Sequence, residues 1–321
     1  MAGRVAGLLP QLRAAIGIAG SLLLCLWLVT VIDWGRFLAA ATRLSPPAIL
    51  LAALLVAVHQ LAAGLRWHCL IRSWSRGCLR AHVATFLVSN FFSLFTPGGL
   101  GSDAYRVYAV GRAGVDRWLL AGVVLRERLV GLLGFLALFA IGSLWWTRGR
   151  AAGEPADFVA WAGAAMRLSL FATALGTAAV LLSPLLRSHL PRLLGPRLPR
   201  LGTLAEHAAF PSLGELLSVL ALTALMLASW WLAALLLGRD LELAIGPGYL
   251  AALLALTEIS RFLPISVQGV GVREAVFMTG VELAGASGEK GVLLVVVLYV
   301  LNMFMQLALW GVGMAMREQP R

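Results

Sequence analysis

The chain has 321 residues, of which 60% are hydrophobic and 13% charged, with a mean hydropathy of +0.88. This composition excludes an ordinary soluble globule and defines an integral membrane protein, read as a single membrane domain over residues 1–321. The formal net charge of +11 is almost wholly arginine, Lys290 being the one lysine, and it gathers in short loops, which argues for membrane orientation and anionic-lipid contact and against nucleic-acid binding.

At the N-terminus, Arg4 and Arg13 precede an apolar run longer than a signal-peptide core, so this run reads as an uncleaved first span. Taking roughly 20 apolar residues as the length that crosses the hydrocarbon core, six spans are predicted at 12–32, 48–65, 118–146, 166–186, 213–237 and 291–314. Two further apolar stretches, 81–110 and 249–284, are broken near their middles by proline and glycine.

Both broken stretches carry the same phrase. Ser93, Phe95 and Pro97 precede Gly98, Gly99, Gly101 and Arg106; Ser260, Phe262 and Pro264 precede Gly269, Gly271 and Arg273. In each copy Ser lies four residues before Pro and Arg nine after it. Paired interrupted segments in two halves of a membrane protein point to a transporter-like site near mid-membrane. Arginine placement gives the same picture. Arg66, Arg72, Arg76 and Arg80 follow the second span and Arg187, Arg192, Arg197 and Arg200 follow the fourth, so these loops are cytoplasmic by the positive-inside rule. Both termini are then cytoplasmic, provided that each broken stretch enters and leaves on one side. The expectation is an all-α polytopic protein with about six transmembrane helices and two oppositely oriented re-entrant hairpins. The two would form an inverted repeat with halves at about 48–146 and 213–314, hinged at Pro97, Gly98, Gly99, Gly101, Pro264, Gly269 and Gly271.

Charge at bilayer depth costs several kcal/mol unless paired or facing a polar cavity. The candidates for a lipid head-group site are therefore Asp103 and Arg106, Glu127 and Arg128, Glu258 and Arg261, and Arg273 and Glu274. Glu127 and Arg128 lie roughly 13 Å into the span that starts at Trp118, at 1.5 Å per residue. Glu258 and Arg261 are three apart on one helical face and suit an ion pair. Arg273 and Glu274 are adjacent and each calls for a separate partner, which favours the second hairpin as the site. Helix N-termini at the two turns, with Arg106 and Arg273 nearby, suit phosphate oxygens, Asp103 being compatible only if Arg106 neutralises it.

Other chemistry is not indicated. The glycine clusters lack the ending of a phosphate-binding loop, the five histidines and three cysteines have no metal-ligand spacing, and no cofactor or metal site is expected. Gln60, Asn90, Gln268, Asn302 and Gln306 are polar positions in apolar runs that suit hydrogen bonds between helices.

The segments Asn90 to Arg106, Glu127-Arg128, and Leu263 to Glu274 resemble three signatures of the flippase-like membrane domain of lysylphosphatidylglycerol synthases, and the likeness covers nearly the whole chain. Where the family commonly has Gly-Glu before the arginine, this sequence has Ser102-Asp103, a carboxylate one carbon shorter. The resemblance implies a non-enzymatic domain that moves a polar-headed lipid, anionic or of polyprenyl or hopanoid type, across the cytoplasmic membrane. With the sequence ending at Arg321, the aminoacyl transferase fused to some relatives is not expected. The alternative is a non-transporting membrane partner of a lipid-modifying enzyme or glycosyltransferase, docked on the arginine-rich loops. An oligomer is compatible with either.

Overall fold

The structure is a computed structural model and describes residues 23, 26–148, 164, 166–178, 210, 212–260 and 269–318. Among the described residues the ordered elements are helical. In chain order they are α1 (Trp34–Ala41), α2 (Pro46–Ile71), α3 (Leu79–Ser93), α4 (Leu100–Gly111), α5 (Arg117–Arg148), α6 (Leu213–Asp240), α7 (Pro247–Ser260), α8 (Val272–Leu283) and α9 (Gly288–Glu318). Residues 26–31 and 166–178 are also helical.

Four helices, α2, α5, α6 and α9, are long and apolar enough to cross a membrane, and the protein is multi-pass. They correspond to four of the six expected spans. Of the spans at 12–32 and 166–186, residues 12–22, 24, 25 and 179–186 lie outside the described residues. Each long helix starts at a short polar residue whose side chain accepts from first-turn N–H groups: Ser45 for α2, Asp116 for α5, Ser212 for α6 and Ser287 for α9. Such caps satisfy donors that hydrocarbon cannot. Pro46 and Pro47, which lack those donors, fill the first turn of α2.

The broken stretches are two helix pairs. The helices α3, α4, α7 and α8 have 15, 12, 14 and 12 residues, or at most about 22 Å, short of a roughly 30 Å hydrocarbon core. The first pair turns through Pro97–Gly99, where Gly98 and Gly99 hold φ of 60° and 69°, conformations open to glycine. Gly101 is not part of that turn. It lies inside α4, where a Cβ would meet the Phe92 carbonyl oxygen at 2.5 Å. In the second pair Gly269 and Gly271 take φ of 77° and 85°, while Pro264 lies outside the described residues.

Helix pairings recur in matched sets. The long helix α2 packs along α6; α5 packs on α7 as α9 packs on α3; α4 lies against α5 as α8 lies against α9. Lipid tails give helices no hydrophobic reason to associate, so close approach of small residues matters. Gly142 of α5 lies against Gly248 and Ala252 of α7, and Gly313 of α9 lies against the Ala84 to Val88 stretch of α3. Across α2 and α6 the buried Ala52, Val56, Ala233 and Ala234 do the same work. The two ends of the bundle differ. Ser45 binds Asp240, Arg43 pairs with Glu242 and Lys290 reaches the Glu242 carbonyl at one end. At the other, Ser73 bonds Glu215 and Arg126 bonds both Glu215 and the Leu70 carbonyl.

Candidate functional site

Asp103 and Arg106 sit three apart on one face of α4, turned toward α5 and α2. Arg106 donates to Asp103 and, at 2.5 Å, to Glu127 of α5; Arg66 of α2 donates to the other Glu127 oxygen at 3.2 Å and to Thr223 of α6 at 3.2 Å. Arg128 pairs with the second Asp103 oxygen and donates to the Gly98 carbonyl at 2.9 Å, which fastens the first turn to α5. Arg128 follows Arg117 by eleven residues, so the turn meets α5 about 16 Å from its start. Four of these side chains are at least 88% enclosed and Arg128 is 30% exposed. The guanidinium of Arg106 also lies over the Trp67 ring, 4.5 Å from its centroid. Three arginines against two carboxylates leave this network one positive charge in excess. Asp103 is thus held by two cations, which meets the condition for an anion site here.

The network borders a cavity of ≈ 250 Å³ between the helices. Away from the network the lining is mostly uncharged, Glu258 excepted. Asn90 donates to Gln60 at 2.9 Å and Gln60 to Asn302 at 2.6 Å, linking α3, α2 and α9. These are the interhelical hydrogen bonds expected of such polar positions. The Trp230 indole N–H and the Gln306 carbonyl oxygen, both lining the cavity, are buried and have no hydrogen-bond partner among the described residues. A buried unpaired donor or acceptor costs about 1–3 kcal/mol, so the wall is suited to a hydroxylated or otherwise polar occupant. His59 bonds the Met226 carbonyl at 2.9 Å, and His68 faces His82 at 2.9 Å, so these histidines are packed residues.

The second hairpin contributes Glu258 to the cavity lining, but not Arg273 or Glu274. Glu258 accepts from the Tyr299 hydroxyl of α9, and Arg273 lies over the Tyr299 ring at 3.4 Å. The adjacent pair Arg273 and Glu274 does approach, at 3.7 Å, and the Glu274 carboxylate accepts from the Gly271 N–H at 2.7 Å. Each also has a partner of its own, Arg273 the Tyr299 ring and Glu274 the Gly271 N–H, since the bend at Gly271 turns Glu274 back over the helix start as a cap. The repeated arginines also differ in register, Arg106 being the seventh residue of α4 and Arg273 the second of α8. Arg261 lies outside the described residues. Among the described residues the cavity's charges are Asp103 and Arg106 of the first hairpin, Arg66 of α2 and Glu127 and Arg128 of α5 beside it, and Glu258 of the second hairpin.

Sequence reasoning missed Arg66, which counts as a topology arginine in the positive-inside sum yet is buried on Glu127. It also missed Glu215 and Thr223. Arg66, spaced by four from Leu70 and Ala62 in an apolar run, was the available signal. Among the described residues no group of three metal-ligating side chains occurs.

An all-α, multi-pass membrane protein with a charge-lined cavity between its helices is the class that fold and site define. Residues 14–309 match the family model described as the lysylphosphatidylglycerol synthase TM region, and the chain belongs to that family. The match is to the membrane region of the synthases and not to their aminoacyl-transferring part. No curated protein and no solved structure matches the chain.

Proposed function

We propose that the protein translocates a polar or anionic-headed lipid across the cytoplasmic membrane, as a flippase or scramblase, with the head group passing through the central cavity. The observation that carries this reading is a buried network of three arginines and two carboxylates beside a polar cavity, which Glu258 also lines, inside a protein otherwise built of apolar helices. Phosphate oxygens would be taken by Arg106 and Arg128, with Asp103 and Glu127 setting their orientation. Glu258, Arg261, Arg273 and Glu274 would form the corresponding group on the second hairpin. Membership of the family favours the same reading.

The finer architecture belongs to this proposal. Residues 48–146 and 213–314 are taken as the halves of an inverted repeat, α2 to α5 matching α6 to α9, with re-entrant pairs α3–α4 and α7–α8. Support comes from the exchange of packing partners between the halves and from hairpin helices too short to span. The end carrying Arg72, Arg76, Arg80, Arg112 and Arg117 is taken as cytoplasmic, which puts both termini on that side. Rocking of one half against the other would alternate access. The test is head-group movement in liposomes with fluorescent anionic lipids and an impermeant quencher, comparing Arg106→Gln with Glu274→Ala. Loss in both supports transport through paired hairpins; wild-type rates in both would remove the site assignment.

The second reading, a membrane partner of a lipid-modifying enzyme, draws on a recess of ≈ 680 Å³ at the arginine-rich end, lined by residues such as Ser75, Arg76, His82 and Asp116. Stoichiometric co-purification of such an enzyme, with no lipid movement, would favour it.

A further inference from the structure

We infer that the Asp103–Arg128 pair is a lateral gate joining the central cavity to a membrane-facing groove between α4 and α5. The groove holds an acyl chain of an anionic lipid, whose phosphate opens the gate by drawing Arg128 away from Asp103. The inference rests on the translocation reading and specifies where the lipid enters.

The groove, ≈ 660 Å³, is walled by Leu100, Ala104, Val107, Ala121 and Leu125, and its lining is almost entirely apolar. Leu100, Tyr108 and Leu125 on its walls are exposed, so it opens outward to the surroundings of an apolar chain. Its charged lining residues are Arg117, at the start of α5, and Asp103 with Arg128, about 16 Å deeper. Asp103 and Arg128 also line the central cavity, so one ion pair is the wall between the two spaces. A long apolar slot with a cation at the membrane surface and another at the door of a polar cavity matches a molecule that is apolar along its length and anionic at one end. A phospholipid has that chemistry.

Arg128 is the member of the network that can leave. It is 30% exposed where Arg106 is 6%, and Arg106 bonds both carboxylates. Without Arg128, Arg66 and Arg106 against Asp103 and Glu127 are neutral, so the buried core keeps its charge balance when the gate opens. The departing guanidinium carries the surplus charge and is paired by the phosphate. Its bond to the Gly98 carbonyl breaks in the same movement, releasing the first hairpin turn at its glycines. Gate opening and hinge motion are thereby one event.

The experiment uses the full chain in liposomes of phosphatidylcholine and phosphatidylglycerol doped with phosphatidylglycerol bearing a photoactivatable acyl chain. Adducts are mapped by mass spectrometry while head-group movement is followed in parallel. The expected result is adducts on Val107, Ala121 and Leu125. In Ala121→Trp, which fills the groove without altering any charge, adducts and movement should both be lost at an unchanged unfolding midpoint. Ala104→Trp, on the facing wall, gives the same result if Ala121→Trp does not fold. Movement at the wild-type rate in both variants, with adducts elsewhere, overturns the gate and leaves translocation standing. Groove adducts in a wild-type protein that moves no lipid overturn the translocation reading and the gate with it, leaving only a static acyl site.

Discussion

Glu127→Gln is the sharpest probe of the buried network. Glu127 is 5% exposed and accepts from Arg66 at 3.2 Å and Arg106 at 2.5 Å. An amide of the same shape offers one oxygen and a nitrogen that donates, so one guanidinium loses its acceptor and the network's excess rises from one positive charge to two. Removing one partner of a buried pair costs about 3–5 kcal/mol, because the charge left behind has no compensation. Reversible unfolding in mixed micelles, titrated with a denaturing detergent, measures that loss. Arg66→Met in the same chain removes one stranded cation, so the double variant should recover about 1–3 kcal/mol relative to the sum of the singles. A loss within about 1 kcal/mol, the range of a solvent-exposed pair, or strict additivity of the two changes, would refute the reasoning.

Other predictions concern packing and topology. Gly142→Leu, whose Cβ would lie 2.7 Å from backbone atoms of α7, should destabilise by more than the about 1–3 kcal/mol of ordinary overpacking, since backbone cannot step aside. Gly311→Ala, with nothing within 4 Å of its Cβ, should stabilise by about 0.5–1 kcal/mol; thermal unfolding of both variants in detergent checks the contrast. Gln60→Leu severs the link between Asn90 and Asn302 and should cost about 1–3 kcal/mol by the same measurement, as two hydrogen bonds to half-buried amides are lost. With Cys25 and Cys69 replaced, an impermeant maleimide should label the exposed Cys78 from the cytoplasmic side and Glu282→Cys from the outer side. Labelling of both from one side would contradict the inverted arrangement.

Much of the fold was legible because hydrocarbon as solvent leaves few options. Four long spans lie within six residues of where apolar length alone sets them, and their starts move to 46, 117 and 288 because Ser45, Asp116 and Ser287 cap them. The interruptions at Gly98 and Gly99 and at Gly269 and Gly271 were legible for the same reason, glycine being the residue that turns the chain there. The site was only partly legible. Asp103, Arg106, Glu127 and Arg128 stand out as charges in apolar runs, but a linear count cannot tell that Arg66 turns inward to Glu127 rather than outward to the lipid surface. Nor does adjacency in sequence reveal that Glu274 folds back onto Gly271, since the positive φ at the cap decides its direction. The cavity's location follows from how α2, α5 and α6 converge on the first hairpin, which no local pattern encodes.

The central claim is that a lipid head group passes through the cavity between the hairpins. Gly131 lines that cavity, and a Cβ at this position would have nothing within 4 Å, so Gly131→Trp fills the space without touching any charge. The decisive measurement is quencher-based movement of a fluorescent phosphatidylglycerol in liposomes containing wild type, Gly131→Ala or Gly131→Trp at equal reconstitution. The account predicts wild-type movement with alanine and the rate of protein-free liposomes with tryptophan. Wild-type movement in the tryptophan variant would contradict it.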